Sequence, residues 1–216
     1  MNISLRSVPR RALVAALVVS TGCAASIRPL PPLSGTVIPN TSPGIAVDGG
    51  TAKVPVDATD VEYFDTNPLM VPVDGVGPGG VSNSFDDARS GGRTHRANDI
   101  MAPMGTRVIA AEAGTIIRLS SNALGGITIY MTDDSGRFIF YYAHLKGYAA
   151  GLAAKEHVLQ GDLLGYVGMT GNAPVPHLHF QTMRRDPRLR DYWNSPAIDV
   201  RTFFTLNGRV REGDEQ

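Results

Sequence analysis

Beyond Thr106 the chain reads as one short β-strand after another, and this pattern limits the folds open to it. Residues 107–111 and 115–119 are short strand-like stretches parted near Gly114. Residues 126–131 are rich in isoleucine and alternate in polarity. Asp133-Asp134-Ser135-Gly136 is a hairpin turn, and 137–143 is the strand that leaves it. Residues 163–167 and 177–182 complete the set. Residues 149–157 hold a single turn residue, Gly151, and suit a short helix or a covering loop. No stretch carries a long helical period. The 24 glycines and 15 prolines supply the turns such a chain needs. The expected fold is therefore mostly β, an antiparallel sheet curled or doubled into two layers to bury a face. A chain of 216 residues is long enough to give one domain a real core, with appended segments.

The domain is expected over residues 69–206, with Val71-Pro72-Val73-Asp74-Gly75-Val76 as a short strand with turns. Residues 197–206 are expected to pack back as an edge element, and 207–216 to form a frayed tail. Residues 54–68 read as a transition in which Val61, Tyr63 and Phe64 cover one edge. Residues 23–53, rich in Pro, Gly, Ser and Thr, read as a tether with locally stiff proline runs. Residues 1–22 read as a secretory signal. Arg6, Arg10 and Arg11 precede an apolar run over 12–19 that is too short to span a bilayer. The chain's one cysteine follows in Ser20-Thr21-Gly22-Cys23, which resembles a bacterial lipobox. That resemblance implies cleavage before Cys23 and its lipidation, and Ala24 suits outer-membrane sorting. The expected location is the periplasm of a Gram-negative cell, anchored to the outer membrane; plain secretion is the alternative. Two or more acyl chains would hold such an anchor firmly. Lysine and arginine total 20 against 20 acidic residues, so the charge is balanced. Losing Arg6, Arg10 and Arg11 would leave 17 against 20, a net charge of −3. No basic block is present, so a nucleic-acid footprint is not supported.

Four of the five histidines fall in three short segments: His95-Arg96-Ala97-Asn98-Asp99, Tyr142-Ala143-His144-Leu145 and His177-Leu178-His179-Phe180. His177 and His179 lie two apart in a strand, so both face one side while Leu178 and Phe180 face the core. Two such histidines are either exposed on a functional face or buried and bonded. His144 follows Phe138, Phe140 and Tyr142 in alternation, which puts it at the end of an aromatic row, either at a pocket rim or as a cap on a backbone carbonyl. His95 and Asp99 follow the turn Ser90-Gly91-Gly92-Arg93. Their spacing faces one way on a helix, and a loop-to-strand bend can do the same. A catalytic zinc takes three protein ligands and keeps a fourth position open. His95, Asp99 and one histidine of the His177/His179 pair would supply the three. Two imidazoles then remain for proton transfer. His157 reads as a solvated bystander.

Other chemistries compete poorly. No Gly-x-Ser-x-Gly elbow and no His-Glu-x-x-His helix occur, and the glycine-rich stretch 75–80 lacks a phosphate-loop lysine. Cys23 sits in the leader and cannot serve as a nucleophile in the domain. The acidic pairs Asp60/Glu62 and Asp86/Asp87 read as surface decoration.

The ordered segments from about Leu69 to Gln181 resemble the M23 metallopeptidases, the LytM or lysostaphin-type peptidoglycan endopeptidases. The similarity rests on His95-x-x-x-Asp99-Ile100, then Ala102-Pro103-x-Gly105-Thr106-x-Val108-x-Ala110 and Gly114. Tyr142-Ala143-His144-Leu145 follows, then Gly161-Asp162-x-Leu164-Gly165-x-x-Gly168-x-Thr170-Gly171 and Pro176-His177-Leu178-His179-Phe180. The resemblance implies His95, Asp99 and His179 as ligands of one Zn²⁺, and His144 and His177 as catalytic histidines. It also implies a β scaffold with the metal in a groove on the sheet. The implied activity is zinc-dependent cleavage of peptide cross-links in peptidoglycan. The expected location points to the D-alanyl–diaminopimelate type. The substrate partner is then the wall peptide, and the membrane is reached through the lipid. The alternative is a non-catalytic wall-binding regulator that activates amidases. A further option has Asp57, Asp60, Glu62 or Asp65 lying across the groove and occupying the zinc. Two positions depart from the family. Ala97 replaces a glycine and is tolerable only where the backbone avoids positive φ. Asn172-Ala173-Pro174-Val175 replaces a pattern close to Arg-Ser-Thr-Gly, which stiffens that loop and bears on substrate preference.

Overall fold

The computed structural model describes residues 52–206. The expected signal, Cys23, the tether up to residue 51 and the 207–216 tail lie outside the described residues. One helix, α1 (Ala58–Thr66), precedes the strands β1 (Leu69–Met70), β2 (Asn98–Met101), β3 (Arg107–Ile109), β4 (Gly114–Asn122) and β5 (Gly126–Asp133). Then come β6 (Phe138–Tyr148), β7 (His157–Val158), β8 (Leu163–Val167), β9 (His177–Arg184), β10 (Ala197–Ile198) and β11 (Phe204–Thr205). Nine of these strands form one antiparallel sheet, in the order β10-β9-β6-β5-β4-β7, with β2 added to β9, β8 to β6 and β3 to β8. The mostly β, antiparallel expectation is met. Strands β1 and β11 form a separate parallel pair, so the 197–206 segment supplies two edge elements.

Period-two patterning sorts the side chains. Ile129 and Met131 of β5, Phe138, Phe140 and Tyr142 of β6, and Leu178 and Phe180 of β9 share the main core. The opposite face carries a smaller cluster of Tyr130, Ile139, Tyr141, Ala143 and Met183. Both faces of β6 are thus covered from Phe138 to Leu145, where the sequence pattern pointed to one buried face. Residues 149–157 form turns that lead into β7, not a helix. Within 71–76 only Val73 pairs, in a bridge to Val108.

The segment expected to be a transition carries α1. Asp57 caps it, its side chain accepting from the Thr59 and Asp60 amides, and Asp60 returns the bond to the Asp57 amide. Phe64 is buried, with its ring 4.7 Å from Phe138 and 5.0 Å from Phe203. Upstream, Val54 donates to the Ala197 carbonyl at 3.1 Å. Asp60 is fully buried and ion-paired with Arg184 of β9 and, at 3.4 Å, with Arg137. Neither Asp57 nor Asp60 reaches the histidine cluster, and Glu62 and Asp65 are exposed on the same helix. The carboxylate-plug option is corrected accordingly: Asp57 caps the helix and Asp60 docks it, while Glu62 and Asp65 face solvent. Asp60→Ala is expected to lower stability by about 3 kcal/mol, because it strands a partly buried guanidinium. Urea denaturation of the variant beside the parent protein measures this, and a loss under about 0.5 kcal/mol would refute a docking role.

Candidate active site

Strand pairing puts the proposed ligands in register. Asp99 of β2 lies directly opposite His179 of β9, so both side chains leave the sheet on the same face. His177 is on that face too, two residues earlier, while Leu178 turns into the main core. His95 arrives from the loop before β2, not from a helix. The bend falls at Arg96, which adopts left-handed φ 60°. Ala97 avoids positive φ and is buried, so its methyl group is accommodated and its neighbour carries the strain. Ser84 holds both ends of the segment. Its carbonyl accepts from His95 Nδ1 at 2.8 Å, and its hydroxyl oxygen accepts from the Asp99 amide at 3.1 Å. With Nδ1 carrying the proton, His95 presents Nε2 as a lone pair.

That nitrogen lies 2.9 Å from His179 Nδ1 and 2.9 Å from Asp99 Oδ1, and His179 Nδ1 lies 3.4 Å from the same oxygen. In a tetrahedral zinc site with ligand bonds of about 2.0 Å, donor atoms stand about 3.3 Å apart. The three separations fit such an ion. So does the chemistry: Asp99 Oδ1 is buried with no hydrogen-bond donor aligned on it. Burial pushes the Asp99 carboxyl up, but the adjacent His179 and His95 outweigh this and hold it well below the usual carboxylate range. It is therefore anionic at any physiological pH. Its other oxygen accepts from Arg89 at 2.6 Å.

His144 reaches the cluster by a different route from the one its spacing suggests. Strict alternation alone would turn its ring to the side of Phe138, Phe140 and Tyr142, away from the pocket rim or carbonyl cap expected of it. Instead Ile129 pairs with Tyr142 and Ile127 with Leu145, which leaves one extra residue in β6. His144 sits in this bulge at φ 61°. Its ring emerges on the other face, 4.8 Å from His177 and 5.6 Å from His179 between centroids. The bulge coincides with a fork, because β6 pairs with β9 up to Ala143 and with β8 from Leu145. His144 Nδ1 donates to the Thr170 carbonyl at 2.8 Å, and His177 Nδ1 donates to the Val175 carbonyl at 2.9 Å.

Glycines let the Thr170 loop press against this bulge. A Cβ on Gly126, which is at φ 65°, would stand 2.2 Å from Thr170 Oγ1 and 2.4 Å from its carbonyl carbon. Gly126→Ala should push the Thr170 carbonyl off His144. The expected result is a fall of about 10²-fold in kcat with metal content unchanged; equal loss of metal would show that the whole site had moved.

The five predicted side chains thus come together, and His157 does not join them: it is exposed and contacts Asp134 at 2.8 Å. A cleft of about 250 Å³ opens over His144, His177 and His179, walled by Arg89, Arg93 and the Asn172-Ala173-Pro174 loop. Ser84, Arg89 and Thr170 were not singled out individually from the sequence. Thr170 lies inside the Gly168-x-Thr170-Gly171 signal, but nothing local marks Ser84 or Arg89.

Residues 93–191 match Peptidase family M23. The chain is 35% identical over 124 residues to the peptidoglycan DD-endopeptidase ShyC of Vibrio cholerae, covering 56% of this chain and 26% of that protein. It is 32% identical over 123 residues to lysostaphin of Staphylococcus simulans, covering 56% of this chain and 24% of that one. It therefore spans about a quarter of the length of these relatives. The solved structure of the antimicrobial peptidase lysostaphin from Staphylococcus simulans aligns with a TM-score of 0.50 at 28% identity, over 62% of this chain and 52% of that one.

Proposed function

We propose, from the premise that residues 93–191 are a peptidase family M23 domain, that this chain is a zinc-dependent endopeptidase of peptidoglycan. Its target is taken to be the D-alanyl–diaminopimelate cross-link. The observation that carries the reading is the convergence of His95 Nε2, Asp99 Oδ1 and His179 Nδ1. These three residues would hold the ion. Zinc bound there supplies Lewis acidity toward a carbonyl oxygen and makes water easier to deprotonate.

The remaining work falls to the chain's own groups. His144 and His177 each keep Nδ1–H on a main-chain carbonyl. Each neutral ring therefore has its lone pair on Nε2, and both rings line the cleft. One such ring accepts the proton of the attacking water. In its protonated form it returns that proton to the leaving amine. The other, when it carries a proton on Nε2 as well as on Nδ1, can donate to oxygen as negative charge develops there. Fixing Nδ1 on a carbonyl holds each ring in orientation and tautomer, which lowers the reorganisation needed during reaction. Anchoring through lipidated Cys23 would keep the domain beside the wall.

The test incubates zinc-loaded protein with diaminopimelate-type sacculi and identifies products by liquid chromatography and mass spectrometry. Cross-linked dimers should fall to monomers, a chelator should stop this, and added zinc should restore it. No release by folded, zinc-containing protein would sink the peptidase reading and favour a non-catalytic wall-binding regulator.

A further inference from the structure

We propose that a second cavity, built by Lys146 and Tyr166 over a floor of Gly105 and Gly147, binds a free carboxylate of the wall peptide at a distance from the scissile bond. The proposal rests on the peptidase reading above and deepens it by naming a further contact with the substrate. The cavity measures about 390 Å³ and shares no lining residue with the cleft over the histidines. It opens where β6 leaves β9 and joins β8, at the fork that carries His144. His144 and Lys146 flank Leu145, which belongs to the main core, so both side chains turn away from that core. Two residues of strand rise about 7 Å, which sets the lysine roughly two peptide units from the histidine. Gly168 holds this stretch close to the catalytic pair. A Cβ on it would stand 2.2 Å from the Lys146 nitrogen and 2.6 Å from the His144 oxygen, and its backbone bridges to His177.

The lining has the chemistry of an anion site. Lys146 is exposed, and its ammonium has no ion pair or hydrogen bond among the described residues. No carboxylate lines the cavity. Arg107, opposite Tyr166 on β3, already pairs with Asp74 at 3.4 Å. Tyr166 is half-buried between β3 and β6, and gives the cavity an apolar wall with a hydroxyl at its tip. The floor is bare: a Cβ built on Gly105 or on Gly147 would meet nothing within 4 Å. Gly105 needs to be glycine for its φ of 91°, whereas Gly147 is not at positive φ. The space above Gly147 is therefore room that its backbone does not require.

An ammonium beside a ring, over a floor without side chains, suits a carboxylate carried on a short run of methylenes. A diaminopimelate-type wall peptide offers two such groups. One is the α-carboxylate of the γ-linked D-glutamate, and the other is the end carboxylate of a diaminopimelate whose side chain is not in the cross-link. On the strand that supplies the D-alanine, both lie beyond that residue and away from the scissile carbonyl.

The test compares cross-linked muropeptide dimers with both carboxylates free, with the D-glutamate amidated, and with the diaminopimelate amidated. With zinc-loaded full-length protein, one of the two amidations should lower kcat/KM by about fivefold, the upper range of an ion pair open to solvent. The arm that shows the loss names the carboxylate. Lys146→Gln should lower kcat/KM for the free acid by a similar factor, through KM, and remove the preference. Gly147→Val, which fills the cavity without backbone strain, should do the same. Lys155→Gln, which removes a lysine outside the lining, should match the parent. Calorimetric binding of the uncross-linked stem tetrapeptide gives a second readout that needs no turnover. Equal cleavage of all three dimers by the parent protein overturns the carboxylate site and leaves the peptidase standing. Binding of the tetrapeptide that depends on Lys146, with no cleavage by the parent protein, does the reverse. A preference that survives in both Lys146→Gln and Gly147→Val also overturns the assignment.

Discussion

His179→Ala is expected to cost the chain both its metal and its activity. His179 supplies one of three converging donor atoms, and its Nδ1 lies 2.9 Å from His95 Nε2 and 3.4 Å from Asp99 Oδ1. Alanine leaves two protein ligands, one of them a single carboxylate oxygen. Disturbing even a supporting residue around a zinc ligand typically costs 10- to 100-fold in affinity, so removing a ligand should cost at least about 10²-fold. The residue is buried beside Tyr141 and His144, at ring-centroid separations of 6.0 and 5.6 Å. The fold should nevertheless survive, because the main core lies on the opposite face of β9. Metal content after dialysis, chelator competition and circular dichroism together separate lost ligation from lost structure. A folded His179→Ala protein that holds zinc as tightly as the parent would refute the ligand assignment.

His177→Ala should part the two properties. Its Nε2 is 3.6 Å from Asp99 Oδ1, next to the ligand set without completing the close triangle. The variant is expected to keep one zinc per chain while kcat falls by about 10²- to 10⁴-fold, the usual contribution of a general acid–base group. Wild-type turnover would mean that proton transfer uses His144 alone or another group. Loss of metal in His177→Ala with retention in His179→Ala would exchange the roles of the pair. Because the two histidines differ only in their place along one strand, the comparison controls for burial and for local damage to β9.

Much of the scaffold is legible along the chain. The turn at 133–136 and the alternation around it mark β5 and β6, and β8 runs over the residues its apolar pattern marks. The two-residue spacing of His177 and His179 puts both on one face of β9, as their common approach to Asp99 requires. Helix α1 escapes this kind of reading because it is nine residues long and buries only Asp60 and Phe64. Its partners, Phe138, Arg184 and Phe203, lie 70 or more residues away in sequence, and without them the segment has no reason to look helical. His144 shows the other limit. Its place at the end of an aromatic row marks a pocket rim or a carbonyl cap, but the bulge that turns the ring to the cleft, one extra residue opposite β5, has no local signal.

What the sequence determines by itself is local: a side chain's face follows from period two, and turn residues mark where strands end. Which faces meet is decided only when strands pair. His95 and His179 stand 84 positions apart and come to 2.9 Å because β2 docks on β9 with Asp99 opposite His179. Arg89, Ser84 and Thr170 join the site through the same non-local packing. Their positions are set by hydrogen bonds to partners 10 to 43 residues distant, whose strength depends on geometry that no short pattern encodes.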